Sequence, residues 1–314
     1  MEQLALGFET ATRPDPEPGF APDLTEYDFI VASTSGGKDS EAMLAYLVRL
    51  AEAAEVRDRL VAVHADLGIA DWEGVPALAR KQAEQLGIRF EVVSRIGKAG
   101  TKDGKTYKKG ETFGAIPDFA EHRRYWPALR GPRWCTGHFK AEPIKTLFTA
   151  LAKEWRERTG IKDRPCRILD CQGLRAEESN PRAKIPQFRE LLRTKNQWVE
   201  TWLPIHGWKV GEVWAEIKAA GLPHHWAYDI GMPRLSCAFC IYAPKKALIL
   251  AGRHNRELLK EYVRVEKAIG HTFRADLAIA EVAEAIEAGE LGEAVDYDDH
   301  GCAGVDIGEW GDYA

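Results

Sequence analysis

The sequence predicts an α/β fold built on a doubly wound parallel sheet, and three observations carry that reading. Short apolar runs at residues 29–32, 60–64 and 90–93 have the length and composition of buried strands. The first two are each followed by a stretch with helical spacing of apolar residues. The first run ends in Ser33-Thr34-Ser35-Gly36-Gly37, the tight turn that joins a strand to the helix behind it. Strands alternating with helices pack as a parallel sheet with helices on its faces.

Residues 1–26 read as an irregular lead-in. The helix after the first strand buries Ala42, Leu44, Ala45, Leu47 and Val48, and a second helix over 75–86 is closed by Gly87. The alternation breaks at 97–114, which is rich in Gly, Lys and Thr and reads as a mobile loop or hairpin. Helix returns over 141–158, followed by a strand at 167–171 that runs into Gly173 and a last strand at 198–203. A helix over 211–220 is stopped by Gly221 and Pro223, and 245–269 and 276–288 have helical patterns. The organisation expected is a lead-in (1–26), one α/β domain (27–250) and a helical C-terminal extension with an acidic tail (251–314). There is no internal repeat.

The 314 residues are 45% hydrophobic and 29% charged, as in an ordinary soluble globular protein. No apolar run approaches the roughly 20 residues that span a bilayer. No basic segment leads into an apolar stretch near the start, so no signal peptide is expected. Six cysteines, two of them close-set, fit metal or redox work in a reducing compartment, and the expected location is cytoplasmic. The net charge of −5 hides an asymmetry. Residues 275–314 hold twelve acids and no Lys or Arg, and residues 1–28 hold seven acids and a single base, Arg13. Between them lie 42 Lys and Arg against 29 Asp and Glu. A basic body between acidic ends suits a polyanionic ligand, a nucleotide or a nucleic acid; acidic ends that only aid solubility are the plainer alternative.

The most specific local feature is Ser35-Gly36-Gly37-Lys38-Asp39-Ser40, set between a strand and a helix. Two glycines let the backbone turn tightly and approach a ligand. The helix start presents free N–H groups and its positive dipole end. Lys38 adds a positive charge and the serines add hydroxyl donors, a combination that binds a polyphosphate. The spacing is not that of a Walker A loop. Asp39 puts a carboxylate at the helix start beside the loop, where it can also serve as a helix cap. Asp66 ends the second strand, where ligands of open α/β sheets sit, or alternatively forms a turn.

Cys237-Ala238-Phe239-Cys240 is a CxxC, a pattern shared by zinc sites, iron–sulfur clusters and redox dithiols. Lys98, Lys102, Lys105, Lys108 and Lys109 surround Tyr107, and His122-Arg123-Arg124-Tyr125-Trp126 follows. Bases interleaved with aromatic rings suit single-stranded nucleic acid, with a solvated Lys-rich loop as the alternative.

The loop matches the SGGxDS motif of PP-loop ATP pyrophosphatases. Trp126-Pro127 through Arg133-Trp134-Cys135-Thr136, then Lys140 and Pro143, resembles a block of the phosphoadenosine phosphosulfate reductase family. Gly173-Leu174-Arg175-Ala176-Glu177-Glu178-Ser179-Asn180-Pro181-Arg182 is similar to that family's G-x-R-x-x-E-S-x-x-R segment. Pro204-Ile205, Trp208, Val213 and Gly221-Leu222-Pro223 resemble its next block, ahead of the CxxC. The resemblance runs from about residue 28 to 244. It departs from authentic sulfonucleotide reductases in having Cys135 alone where cluster-bearing enzymes have a Cys pair. It also lacks their C-terminal Glu-Cys-Gly; Cys302 is a poor substitute.

The resemblance implies an adenine nucleotide alpha hydrolase-like, Rossmann-like fold that binds ATP and Mg²⁺ and releases pyrophosphate by attack at the α-phosphorus. It implies catalytic roles for Lys38, Asp39, Arg175 and Arg182. Nucleotide contacts are expected from Ser35, Gly36, Gly37, Lys38, Asp39, Ser40, Asp66, Lys140 and Gly173. Cys135, Cys237 and Cys240 would supply three thiolates to a 4Fe–4S cluster with Cys171 as fourth ligand, or to zinc together with His138. Cys166 and Cys302 are expected to be ordinary residues. Adenylylation coupled to sulfur transfer, with a nucleic-acid acceptor and a sulfur donor such as a cysteine desulfurase, is the preferred activity. Sulfonucleotide reduction and a non-catalytic nucleotide-binding module are the alternatives.

Overall fold

The computed structural model describes residues 20–95, 100–102, 105–107, 115–129 and 133–292. Strand β1 (Phe29–Ser33) leads into α1 (Lys38–Ala53), β2 (Leu60–Asp66) into α2 (Val75–Gln85), and β3 (Arg89–Ser94) into a small antiparallel hairpin, β4 (Gly100–Lys102) and β5 (Lys105–Tyr107). Helix α3 (Ile116–Arg123) and the short α4 (Trp134–Thr136) precede α5 (Glu142–Thr159) and β6 (Cys166–Gln172). Then come α6 (Asn180–Ala183), β7 (Phe188–Arg193), β8 (Gln197–Trp202) and α7 (Val210–Ala220). Three helices complete the described chain: α8 (Lys245–His254), α9 (Arg256–Ile269) and α10 (Ile279–Glu287).

The main sheet has the order β3-β2-β1-β6-β8-β7, parallel except for β7. The chain therefore moves outward from β1 to β3, then returns to the other side of β1 with β6. That reversal opens a crevice beyond the carboxyl ends of β1 and β6, where ligands of such sheets bind. Alternation along the strands divides the core between two faces. Ile30, Ala32, Leu169 and Cys171 pack with Met43, Leu44 and Leu47 of α1 and Ala83 of α2. Val31, Val61, Ile168 and Val199 pack with Leu147, Phe148, Leu151 and Trp155 of α5. Helices on both faces bear out the doubly wound reading.

Local chemistry sets the ends. α5 stops at Gly160, whose φ of 72° lets its N–H reach the Arg156 carbonyl. α7 stops likewise at Gly221, with φ 62°. The helix expected over 245–269 is instead two helices, broken at Asn255 (φ −126°, ψ 55°), because the apolar spacing continues on both sides of the break. The Asn255 side chain donates to the Ala251 carbonyl at 2.9 Å. The last helix starts at Ile279, three residues later than the pattern indicated. Its first N–H groups are met by the buried Glu266 of α9, which accepts from Ile279 N at 3.0 Å and Ala280 N at 3.1 Å. Strand β7 escaped the sequence reading because it is a half-wet edge strand whose charges, Arg189, Glu190 and Arg193, break the apolar alternation.

A third body of core joins Trp126, Trp134 and Phe139 to Phe239, Ile241, Tyr262, Phe273 and Val282. Tyr262 stacks on Trp126 with ring centroids 5.0 Å apart and planes 13° from parallel. The C-terminal helices thus close over the cysteine-bearing segment. The Lys-rich residues expected to form a loop or hairpin fall largely outside the described residues, as do Cys302 and the acidic tail.

Candidate active site

At the β1–β6 crevice lies a cavity of about 480 Å³. Its volume suits a small-molecule ligand, for which about 300–1,000 Å³ is usual. Ser35, Gly37, Asp39 and Ser40 of the loop line it, with Arg133, Lys140, Arg182 and Arg234 around them and Cys135, Cys237 and Cys240 on its wall. Tyr262 of α9 and Phe273 from the connection to α10 also contribute to the lining.

The loop is ordered from within. Gly36 has φ +72°, which favours glycine. The Ser35 N–H donates to Ser40 Oγ at 3.0 Å, and Ser40 Oγ donates to the Gly37 carbonyl at 2.9 Å. The first-turn N–H groups of Asp39 and Ser40 have no intrahelical acceptor and stand at the positive end of the α1 dipole. Gly173 serves packing: a Cβ there would lie 2.9 Å from the Asp39 carbonyl oxygen and 3.0 Å from Ser40 N. The end of β6 can therefore approach the start of α1 only with glycine at this position.

Lys38 is drawn into the packing of the loop itself. It is 1% exposed and absent from the cavity lining. Its ammonium donates to the Pro233 carbonyl at 3.1 Å and to Asp39 Oδ2 at 3.3 Å, while its backbone N–H donates to Tyr228 Oη at 2.9 Å. Lys38 ties the loop to the segment ahead of the CxxC. Its stem is buried because that segment packs directly on Gly37, where a Cβ would meet Tyr228 Oη at 3.2 Å and Leu235 at 3.3 Å.

The two arginines of the Gly173 block part company. Arg175 is wholly buried; its Nε donates to Asp39 Oδ1 at 2.6 Å and its Nη1 to Glu177 Oε2 at 2.5 Å. Held between carboxylates off the cavity wall, it acts on the site by fixing Asp39. Arg182 does line the cavity and donates to Glu178, whose other oxygen pairs with Arg234 at 2.5 Å. Burial pushes the Glu178 carboxyl up, but Arg234, Arg182 and the Arg175 N–H outweigh it and hold the group at about 2. The result is a fixed anion presenting two guanidinium groups. Arg234 was missed; its one sequence signal is its position three residues before Cys237.

Asp66 also departs from expectation. Its Oδ1 accepts from the Gly68 N–H at 2.8 Å, a turn contact, and it does not line the cavity. The carboxylate presented there is Asp71, brought back by the turn, with Oδ2 accepting from Leu67 N at 3.1 Å. Burial raises its carboxyl, opposed by the Lys140 charge. Lys140 lies on a π turn, Gly137–Ala141, between α4 and α5. Such widened turns recur at functional sites, and this one places Lys140 near Asp71 and all three cavity thiols.

Cys135, Cys237 and Cys240 come together as expected. The Cys237 thiol hydrogen-bonds Cys240 and, with the Tyr242 N–H, Lys140 and Arg234, brings Cys240 down to about 6 against the effect of burial. Burial and the Cys240 charge push Cys135 up. Cys171 is a correction. It is fully buried between sheet and α1, on the opposite face from Asp170, which lines the cavity. Burial drives its thiol well above the ordinary range. His138 is also diverted: it hydrogen-bonds Arg123 at 3.1 Å and Glu142 at 2.7 Å, away from the cavity lining. Among the described residues no group of three or more His, Cys, Asp or Glu has metal-holding geometry. The donor chemistry of the three thiols, flanked by Lys140 and Arg234, still fits a soft, thiophilic metal centre with one position left open.

A carboxylate also sits deep in the crevice. Asp170 accepts from Gln172 Nε2 at 2.7 Å and Thr201 Oγ1 at 3.2 Å, and burial pushes its carboxyl up to about 6.

The parallel sheet with its reversal at β1, and the glycine loop at that reversal, define an open, doubly wound α/β domain. The chain belongs to the family of the phosphoadenosine phosphosulfate reductase domain, whose sequence model matches residues 29–243. An uncharacterised protein of Methanocaldococcus jannaschii is 24% identical over 242 residues, 77% of this chain and 48% of that protein. The tRNA-cytidine(32) 2-sulfurtransferase of Saccharophagus degradans is 28% identical over 137 residues, 40% of each chain. The match thus spans less than half the length of either relative. Among solved structures, the U34-tRNA thiolase NcsA from Methanococcus maripaludis with its 4Fe–4S cluster is 15% identical, with a TM-score of 0.36 over 86% of this chain and 75% of that one. Among the described residues no helix is long and apolar enough to cross a membrane.

Proposed function

We infer that this chain is an ATP-dependent enzyme that adenylylates an acceptor, releases pyrophosphate and couples the step to sulfur transfer. The observation that carries the reading is the single cavity shared by the loop, the Arg182–Glu178–Arg234 fork and the three thiols. Loop N–H groups and the Ser35 hydroxyl suit the leaving pyrophosphate. Arg182 and Arg234, preset by Glu178, suit charge that develops as the acceptor oxygen attacks the α-phosphorus and the bridging oxygen departs. Asp39, on the cavity wall beside the loop, is the carboxylate for Mg²⁺.

Cys135, Cys237 and Cys240 would hold the metal centre. A 4Fe–4S cluster bound there supplies a thiophilic iron with an open position for sulfur; zinc is the alternative occupant. Lys140 beside the thiols balances their negative charge. The acceptor in this reading is a nucleic acid, for which the basic body and the sulfurtransferase relative are the support. A cysteine desulfurase is a fitting class of sulfur donor.

The test incubates anaerobically purified protein with ATP, Mg²⁺, sulfide and unfractionated tRNA from cells lacking thiolation enzymes. AMP and pyrophosphate in equal amounts, with sulfur entering the tRNA, is the expected result. ADP and phosphate as products overturn the reading. Catalytic sulfite release from phosphoadenosine phosphosulfate with a thiol reductant replaces it with sulfonucleotide reduction.

A further inference from the structure

We propose that Asp170 is the base-reading residue of the cavity, with Oδ1 accepting a hydrogen bond from the exocyclic amine of the adenine of ATP. The proposal rests on the nucleotide reading above and adds to it a residue that determines nucleobase specificity.

Asp170 is 2% exposed and lines the cavity. Both of its hydrogen bonds, from Gln172 and Thr201, go to Oδ2. Oδ1 is buried and has no hydrogen-bond partner among the described residues. A buried carboxylate oxygen without a donor is costly, and a ligand N–H would remove that cost. The Gln172 and Thr201 donors hold the carboxylate in place, so the open oxygen is fixed in direction.

The surroundings select the ligand. Asp170 lies on the sheet face covered by α5, which contributes Ile144 and Phe148 to the same cavity; Val63 and Leu191 line it from the sheet. Apolar walls around one fixed acceptor, with the Arg189 charge on the same lining steadying the carboxylate, match a flat heterocycle bearing an amine. In the sheet Asp170 pairs with Val31, four residues before Ser35 of the loop. Four extended residues span about 13 Å, a distance that one nucleotide can cover from the loop to Asp170.

The decisive variant is Asp170→Asn. Its carbonyl oxygen would keep the Gln172 and Thr201 donors and turn an NH₂ donor toward the cavity, where a 6-oxo purine is accepted and a 6-amino purine refused. Calorimetric titration of wild type and variant with ATP and with ITP reads the effect. Wild type should prefer ATP by at least tenfold. In Asp170→Asn that preference should fall at least tenfold, with ITP binding gained. A purely structural role would weaken both nucleotides equally and leave the ratio unchanged, which overturns the proposal. Asp170→Leu, which fills the space without polarity, should bind the two nucleotides alike; a retained ATP preference there also overturns it. If wild type binds neither nucleotide, the functional reading itself falls, whereas ATP binding with an unshifted ratio removes only the assignment of Asp170.

Discussion

Arg175 Nε donates to Asp39 Oδ1 at 2.6 Å, which fastens the segment after β6 to the first turn of α1. The same guanidinium reaches Glu177 and the Trp208 carbonyl, so its planar fork joins three parts of the chain. Removing it would leave Asp39 to Lys38 alone and Glu177 to the longer Lys209 pair. Arg175→Met should therefore destabilise the fold by about 3–5 kcal/mol, and Arg175→Lys should recover little because an ammonium cannot span both carboxylates. Urea unfolding measures this; a loss under about 1 kcal/mol for Arg175→Met would show that the pair is not anchoring the loop.

Gly173→Ala tests the contact beside it. The added Cβ would press on the backbone of Asp39 and Ser40, neither of which can swing aside as a side chain would. A cost of about 1–3 kcal/mol is expected, together with at least a tenfold loss of ATP affinity as the loop shifts. Gly211→Ala, where a Cβ meets nothing, is the control. Unchanged ATP affinity in Gly173→Ala would count against the loop as the phosphate site.

Two buried carboxyls give stability opposite pH dependences. Glu41 is fully buried with neither oxygen hydrogen-bonded, and burial pushes it up to about 8, offset slightly by Gln82. From about 4.5 to 8 the folded state holds a proton that the unfolded state releases, so stability should fall as pH rises through that window. Glu178, held at about 2, works the other way: its stabilisation is present above 4.5 and is lost as pH falls toward 2. Glu41→Gln should flatten the upper slope and stabilise the protein at pH 7.5 by on the order of 4 kcal/mol. Thermal melts across pH read both, and an upper slope that survives in Glu41→Gln would assign it to another group.

The thiols separate by metal content. Protein purified and reconstituted anaerobically should lose bound iron or zinc in Cys240→Ala and Cys237→Ala but keep it in Cys171→Ala. The last change should instead lower stability by about 1–2 kcal/mol through lost core packing. Metal lost in Cys171→Ala at unchanged stability would return Cys171 to the ligand set.

The sequence alone determined the parallel α/β class, because apolar runs of strand length alternating with amphipathic helices admit few other packings. It determined the loop as well, since two glycines at a strand–helix junction are a local property of the chain. It also picked out Cys135, Cys237 and Cys240, whose residue types and family spacing identify them before any fold is known. What it could not decide was direction. Lys38 is buried because residues 228–235, nearly two hundred positions later, pack on Gly37 and offer its ammonium a carbonyl. Cys171 and Asp170 are neighbours in sequence, yet the two-residue period of β6 sends one into the core and the other to the cavity. Asp71 displaces Asp66 because a turn at Gly68 uses one carboxylate and carries the other back. Arg175 and Arg182 look equivalent in their motif, but one meets the first turn of α1 and the other the cavity. Side-chain type is written in the chain, whereas the face it presents depends on which distant segment packs against it.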